Sequence, residues 1–128
     1  MDGTAATAGR RPDAIAPDGS EIFYRVGNAE RASMVEVRLP AGAVSRPVRH
    51  RTVEEIWYFL DGTGRVWLQP PGEPGQVRGV GPASVVVIPT GWAFQFAAEP
   101  GSDLRFACFT SPPWPGATEA EPVASGGL

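Results

Sequence analysis

An all-β domain, a sandwich or small barrel of antiparallel strands, is the fold class this 128-residue sequence predicts. Two observations carry that expectation. Segments of roughly 5–9 residues rich in Val, Ile and aromatics recur between Gly, Pro, Asn and Asp clusters. No window sustains a helical apolar period between helix caps. Many short strands at regular spacing, without an internal repeat, make a sandwich or barrel.

The strands follow in order. Glu21–Val26 is closed by Gly27-Asn28. Met34–Leu39 alternates, with Val35, Val37 and Leu39 on one face and Met34, Glu36 and Arg38 on the other. Pro40-Ala41-Gly42 ends it. Glu55–Leu60 is apolar almost throughout, which predicts burial on both faces, and Asp61-Gly62-Thr63-Gly64 is a hairpin signal. Arg65–Gln69 follows, then the turn Pro70–Gly75 and a short strand, Gln76–Val80. Ser84–Ile88 stops at Pro89-Thr90-Gly91, Ala93–Ala97 comes next, and Leu104–Thr110 is last. Residues 1–19 and 116–128 hold little apolar surface and are expected to be flexible ends around a domain at 20–115.

Composition narrows the function classes. All eleven basic residues are Arg, and a net charge of −3 gives no general attraction to nucleic acid or to anionic membranes. The glycine pair Gly62 and Gly64 lies between strands, so it is a turn and not a phosphate loop. Val85–Ile88, the longest aliphatic run, is far short of a membrane span. The N-terminus lacks the apolar core of a signal peptide. Cys108 is alone, so no intrachain disulfide forms, and a reducing cytoplasm is the expected location.

The stretch RHRTVEEIWYFLDGTG, residues 49–64, holds the only histidine, His50, just ahead of Glu54 and Glu55. With Gly42 and Gly62 it resembles the first motif of the cupins, Gly-x5-His-x-His-x3–4-Glu-x6-Gly. Pro89 and Gly91 match the Pro-x-Gly of the second cupin motif. The IPTG followed by FQF, and the PPWPG near the end, look like those of small bacterial cupins. The resemblance covers roughly residues 20–115 and implies a jelly-roll β-barrel or double-stranded β-sandwich, with His50 and Glu55 pointing into its lumen.

Four departures qualify it. Val48 stands at the first histidine position and Phe94 at the second motif's histidine, while Ala83 and Ala98 replace its glycine and asparagine. Only His50 and Glu55 keep ligand-type side chains, read as two donors on one strand. Metal sites of this kind use about three protein ligands. The expectation is therefore no metal cofactor; if one is recruited, His50 and Glu55 hold it, with Gln95, Glu54 or Glu36 as candidate third donors. His50 is then a candidate general acid/base, since histidine titrates near neutrality, the range useful for proton transfer. Glu55 orients it or acts as the base, and both have a purely structural reading as a hydrogen-bonded core pair. Glu54, one residue away, points to the opposite face. Val48, Trp57, Phe59, Phe94 and Phe96 are expected to line the lumen, an aromatic wall suited to an unsaturated ligand, or simply to fill it. Arg38 and Gln95 are the remaining candidates for substrate contact. Trp114 is an anchor across the barrel or against a second subunit, and Cys108 a small buried hydrophobe.

Three function classes follow. The first is a metal-independent isomerase, cyclase, dehydratase or lyase acting on a small organic substrate, a role the resemblance allows in bacterial natural-product tailoring. The second is a non-catalytic cupin that binds a ligand or partner; the third is a metal-dependent oxygenase with atypical ligands. A homodimer is expected, because exposed edge strands need covering.

Overall fold

The computed structural model describes residues 11–26 and 29–128. Their strands form two antiparallel sheets. One contains β1 (Ala14–Ile15), β2 (Glu21–Val26), β3 (Ser33–Leu39), β5 (Glu54–Asp61), β8 (Val85–Ile88) and β10 (Leu104–Ser111), ordered β1-β2-β3-β10-β5-β8. The other contains β4 (Val48–His50), β6 (Gly64–Gln69), β7 (Gln76–Val80), β9 (Ala93–Ala98) and β11 (Ala120–Pro122), ordered β11-β4-β9-β6-β7. The sheets face each other as a sandwich and do not close into a continuous barrel. Every strand expected from the sequence is present, with its ends within one residue.

The core sits between the sheets and is aromatic. Trp57 stacks on Phe106 at 4.2 Å, and Phe94 and Phe96 meet Trp57 edge-on at 5.4 and 5.1 Å. Each of these rings is at most 2% exposed.

Three expectations about the connections are corrected. Asp61-Gly62-Thr63-Gly64 does not close a hairpin: β5 and β6 belong to different sheets, so the turn crosses the sandwich. Glycine is needed there because Gly62 has φ +80° and a Cβ would lie 2.2 Å from the Asp103 carbonyl oxygen. His50 and Glu55 likewise do not share a strand: His50 ends β4 in one sheet and Glu55 lies on β5 in the other, so they meet across the core. The segments 1–19 and 116–128 were expected outside the domain, yet Ala14–Ile15 pairs with β2, and Ala120–Pro122 pairs with β4. Backbone pairing to a sheet edge supplies what their side chains lack. Residues 1–10 lie outside the described residues.

Strand β5 is also not buried on both faces. Glu55, Trp57 and Phe59 point inward, while Ile56 and Tyr58 are 47% and 43% exposed. Its outer residues continue a row across five strands, Val26–Met34–Phe109–Ile56–Val87.

Candidate functional site

A cavity of about 310 Å³ opens between the sheets. Val35 and Val37 of β3, Trp57 of β5, and Phe94 and Phe96 of β9 form its apolar walls, and residues 14–18 and Trp114 border it. Its polar end is built from four segments: His50 on β4, Glu55 on β5, Thr110 on β10, and Asp18 in the turn before β2.

Glu55 is 6% exposed and fully engaged. Its Oε1 accepts from the Trp57 indole N–H at 3.0 Å and its Oε2 from the Thr110 hydroxyl at 2.7 Å. Thr110 is the Cα partner of Glu55 on the neighbouring strand, so sheet register fixes the carboxylate. His50 is 5% exposed and lies edge-on to Phe94 at 5.0 Å and Trp114 at 5.2 Å. Its main chain is held by pairing with Ala120 and by the Gly91 N–H, which donates to the His50 carbonyl. Its Nδ1 stands 3.9 Å from Glu55 Oε1, beyond hydrogen-bond length. That nitrogen is buried without a hydrogen-bond partner, the single such side-chain atom among the described residues. Leaving a buried polar atom unpaired costs about 1–3 kcal/mol. His50 lines the cavity, and this nitrogen lies buried beside Glu55 at the cavity's polar end.

Asp18 is a site residue that the sequence reading missed. It lies in Asp18-Gly19-Ser20, inside a segment set aside as a flexible end. The Ser20 N–H and hydroxyl both donate to Oδ1, at 2.9 and 2.6 Å, an arrangement the Asx-turn pattern signals. Burial pushes the carboxyl above the ordinary aspartate range; the Ser20 bonds oppose this, the charge of Glu55 adds to it, and His50 opposes it. The sign of the stability effect follows. A carboxyl raised in the folded state favours folding while protonated and loses that advantage as pH rises through its folded pKa. Asp18→Asn keeps an oxygen for both Ser20 donors and removes the charge. Its Tm at pH 7 is expected to exceed that of the unaltered protein by a few degrees, the gain vanishing below about pH 4. A lower Tm at pH 7 in a thermal melt would remove this account.

Cys108 lines the cavity, with Sγ 3.7 Å from the Thr110 hydroxyl. Burial first, then the Glu55 charge, pushes its thiol well up, so it stays a protonated, weakly reactive group. Trp114 borders the cavity.

Of the residues expected to contact substrate, Val48, Trp57, Phe94 and Phe96 reach the cavity, and three do not. Phe59 packs deeper, against Phe106 and Trp57. Arg38 lies on the outer face, paired through two hydrogen bonds of 2.9 Å with Glu21. Gln95 has the opposite strand parity to Phe94 and Phe96; its amide donates to the Ser45 carbonyl and accepts from Leu128 N–H, beneath the C-terminal residues. The candidate third metal donors fail on the same grounds. Gln95 is committed there, Glu36 is bridged to Arg25 and Arg105, and Glu54 is exposed on the outside of β5. No three His, Cys, Asp or Glu side chains converge as a metal site among the described residues. Val48 and Phe94 occupy the ground beside His50, so the donor set does not fit a metal.

Two antiparallel sheets enclosing an apolar cavity with a polar cluster at one end define a jelly-roll β-sandwich. The cupin family model matches residues 24–116, and the chain belongs to the cupin family. No curated protein matches it in sequence. Among solved structures it is similar to the capsular polysaccharide assembling protein CapF of Staphylococcus aureus, at 13% identity and TM-score 0.75, covering 94% of this chain and 35% of that one. A variant of Streptomyces PAC13 with uridine gives 12% identity and TM-score 0.71, covering 96% and 92%. An oxalate decarboxylase gives 14% and 0.70, covering 82% and 29%. The chain thus spans about a third of CapF. At these identities the likeness is one of fold.

Proposed function

We propose that this cupin is a metal-independent enzyme that moves protons on a small unsaturated organic molecule, of isomerase, cyclase or dehydratase type, as in bacterial natural-product tailoring. The observation that carries the reading is His50, a cavity-lining imidazole whose Nδ1 is buried without a hydrogen-bond partner beside the Glu55 carboxylate. The imidazole takes the proton, and the Glu55 carboxylate, locked by Trp57 and Thr110, stabilises the resulting imidazolium across 3.9 Å. The similarity in fold to PAC13, described as a nucleoside dehydratase, is compatible with this chemistry.

The test uses a neutral probe that reports any base in an apolar cavity. In 5-nitrobenzisoxazole, removal of the ring C–H proton breaks the N–O bond and releases a coloured cyanophenolate. The protein should accelerate this opening, and His50→Ala should reduce the acceleration by at least about 10²-fold, the lower end for a general base. Equal rates for the two proteins would end the proposal.

Cytoplasmic residence and homodimerisation belong to the same proposal. The row from Val26 to Val87 offers a second copy an apolar surface, with Phe109 and Ile56, 41% and 47% exposed, at its centre. Light scattering at micromolar concentration that returns a 13.5 kDa particle would remove the dimer.

A further inference from the structure

We infer that the cavity takes an organic cation, an arylalkyl ammonium or a group of similar size and charge, with Asp18 as its counter-ion. The inference rests on this cavity being the ligand site, and not on His50 transferring a proton.

The first argument is charge. The carboxyls of Asp18 and Glu55 and the imidazole of His50 line the cavity, and no arginine does so among the described residues. Lysine is absent from the whole sequence. A carboxylate or phosphate ligand would bring a further negative charge into a walled space holding two carboxyls, where repulsion is weakly screened.

The second is a count of donors. The hydroxyl and indole donors at the polar end are already spent on carboxyls. Ser20 donates to Asp18 Oδ1, and Trp57 and Thr110 donate to the two oxygens of Glu55. The accepting capacity left open is Asp18 Oδ2, which no donor reaches among the described residues. Of the other donors on the wall, the Tyr24 hydroxyl and the Trp114 indole belong to residues that keep solvent contact, and the Cys108 thiol lies against the Thr110 hydroxyl. A ligand that satisfies this end must bring the hydrogens itself. An ammonium carries three, together with a positive charge to pair with the aspartate.

The third is the wall. Phe94 and Trp114 flank His50, with centroids 5.0 and 5.2 Å from its ring, and Trp57 lies next to Phe94. Aromatic faces attract a cation by their quadrupole while leaving its apolar body well packed. The volume of about 310 Å³ suits one ring and a short arm.

Three probes that share a phenyl ring separate the alternatives: benzylamine, benzyl alcohol and benzoate, titrated at pH 7 by indole fluorescence and checked by calorimetry. Benzylamine is expected to bind at least tenfold tighter than benzyl alcohol, and benzoate not measurably. Asp18→Asn, which retains both Ser20 bonds, should erase the advantage of the amine and leave benzyl alcohol unchanged. Glu121→Gln, outside the cavity on β11, should change nothing. Equal binding of amine and alcohol overturns the inference, as do preference for benzoate, an amine advantage that survives Asp18→Asn, and no binding of any probe at millimolar concentration. A cation preference that persists while His50→Ala still opens benzisoxazole at full rate would sink the proton-transfer reading and leave this one standing.

Discussion

A chain carrying Val48→His and Phe94→His together is expected to bind one equivalent of zinc, nickel or manganese, and the unaltered protein is expected to bind none at full occupancy. Val48 and Phe94 are direct cross-strand partners on β4 and β9, and Phe94 already lies edge-on to His50. Two imidazoles there would join His50 and Glu55, whose nearest atoms are 3.9 Å apart, in one donor set. The metal-free variant should be less stable than the parent, because Phe94 is 1% exposed and its replacement buries polar nitrogens in an apolar wall. Added metal should more than repay this. At a free concentration of 100 times Kd, mass action contributes about 2.7 kcal/mol, roughly 5–15 °C in Tm for a domain of this size. The measurement is a thermal melt with and without metal, paired with elemental analysis after mild chelation. A variant that binds nothing would show that the lost ligands are not what separates this site from a metal centre. One tight metal per unaltered chain, lost in His50→Ala, would restore the oxygenase reading.

The strands were legible because alternation and turn residues are local signals; Met34–Leu39 and Gln76–Val80 are read from their own residues. Which sheet each strand joins is not local. The apolar run at residues 55–60 looked buried on both faces, yet only the parity of Trp57 and Phe59 faces the core. Nothing within the run distinguishes Ile56 from a core residue; the difference lies in what the opposite face meets. His50, Glu55 and the aromatic wall were legible from motif spacing. Asp18 was not, because its role depends on a two-residue strand, Ala14–Ile15, that has no propensity signal and is held by pairing with β2. Arg38 and Gln95 were misplaced for the opposite reason: a polar side chain near a motif invites a role, while its actual partners, Glu21 and the C-terminal residues, are remote in sequence.

Glu119 illustrates that last point with the largest structural consequence, and Glu119→Ala is expected to destabilise the fold by about 2–5 kcal/mol. The residue is 4% exposed, in a single 3-10 turn at Ala117–Glu119 that precedes β11. Its carboxylate accepts the N–H groups of Thr52 and Val53 and the Thr52 hydroxyl. Those residues are the connection by which the chain leaves β4 after His50 and enters the other sheet before Glu55. Truncation would strip partners from two backbone N–H groups, that of Val53 at a residue with 0% exposure. Glu119→Gln keeps one carbonyl oxygen and should cost roughly half as much. Burial alone would raise the Glu119 carboxyl, but the bonds from Thr52 and Val53 outweigh it and hold the group below its usual 4.5. A carboxyl depressed in the folded state contributes fully above its unfolded pKa and loses that contribution as pH falls through the folded value. Urea midpoints should therefore separate parent from Glu119→Ala widely at pH 7 and converge progressively below about pH 4.5. The same variant, assayed below its midpoint, should also open benzisoxazole more slowly, because the His50–Glu55 separation depends on the connection Glu119 holds, although Glu119 itself does not line the cavity. Midpoints that coincide at pH 7 would show that the connection stands without it.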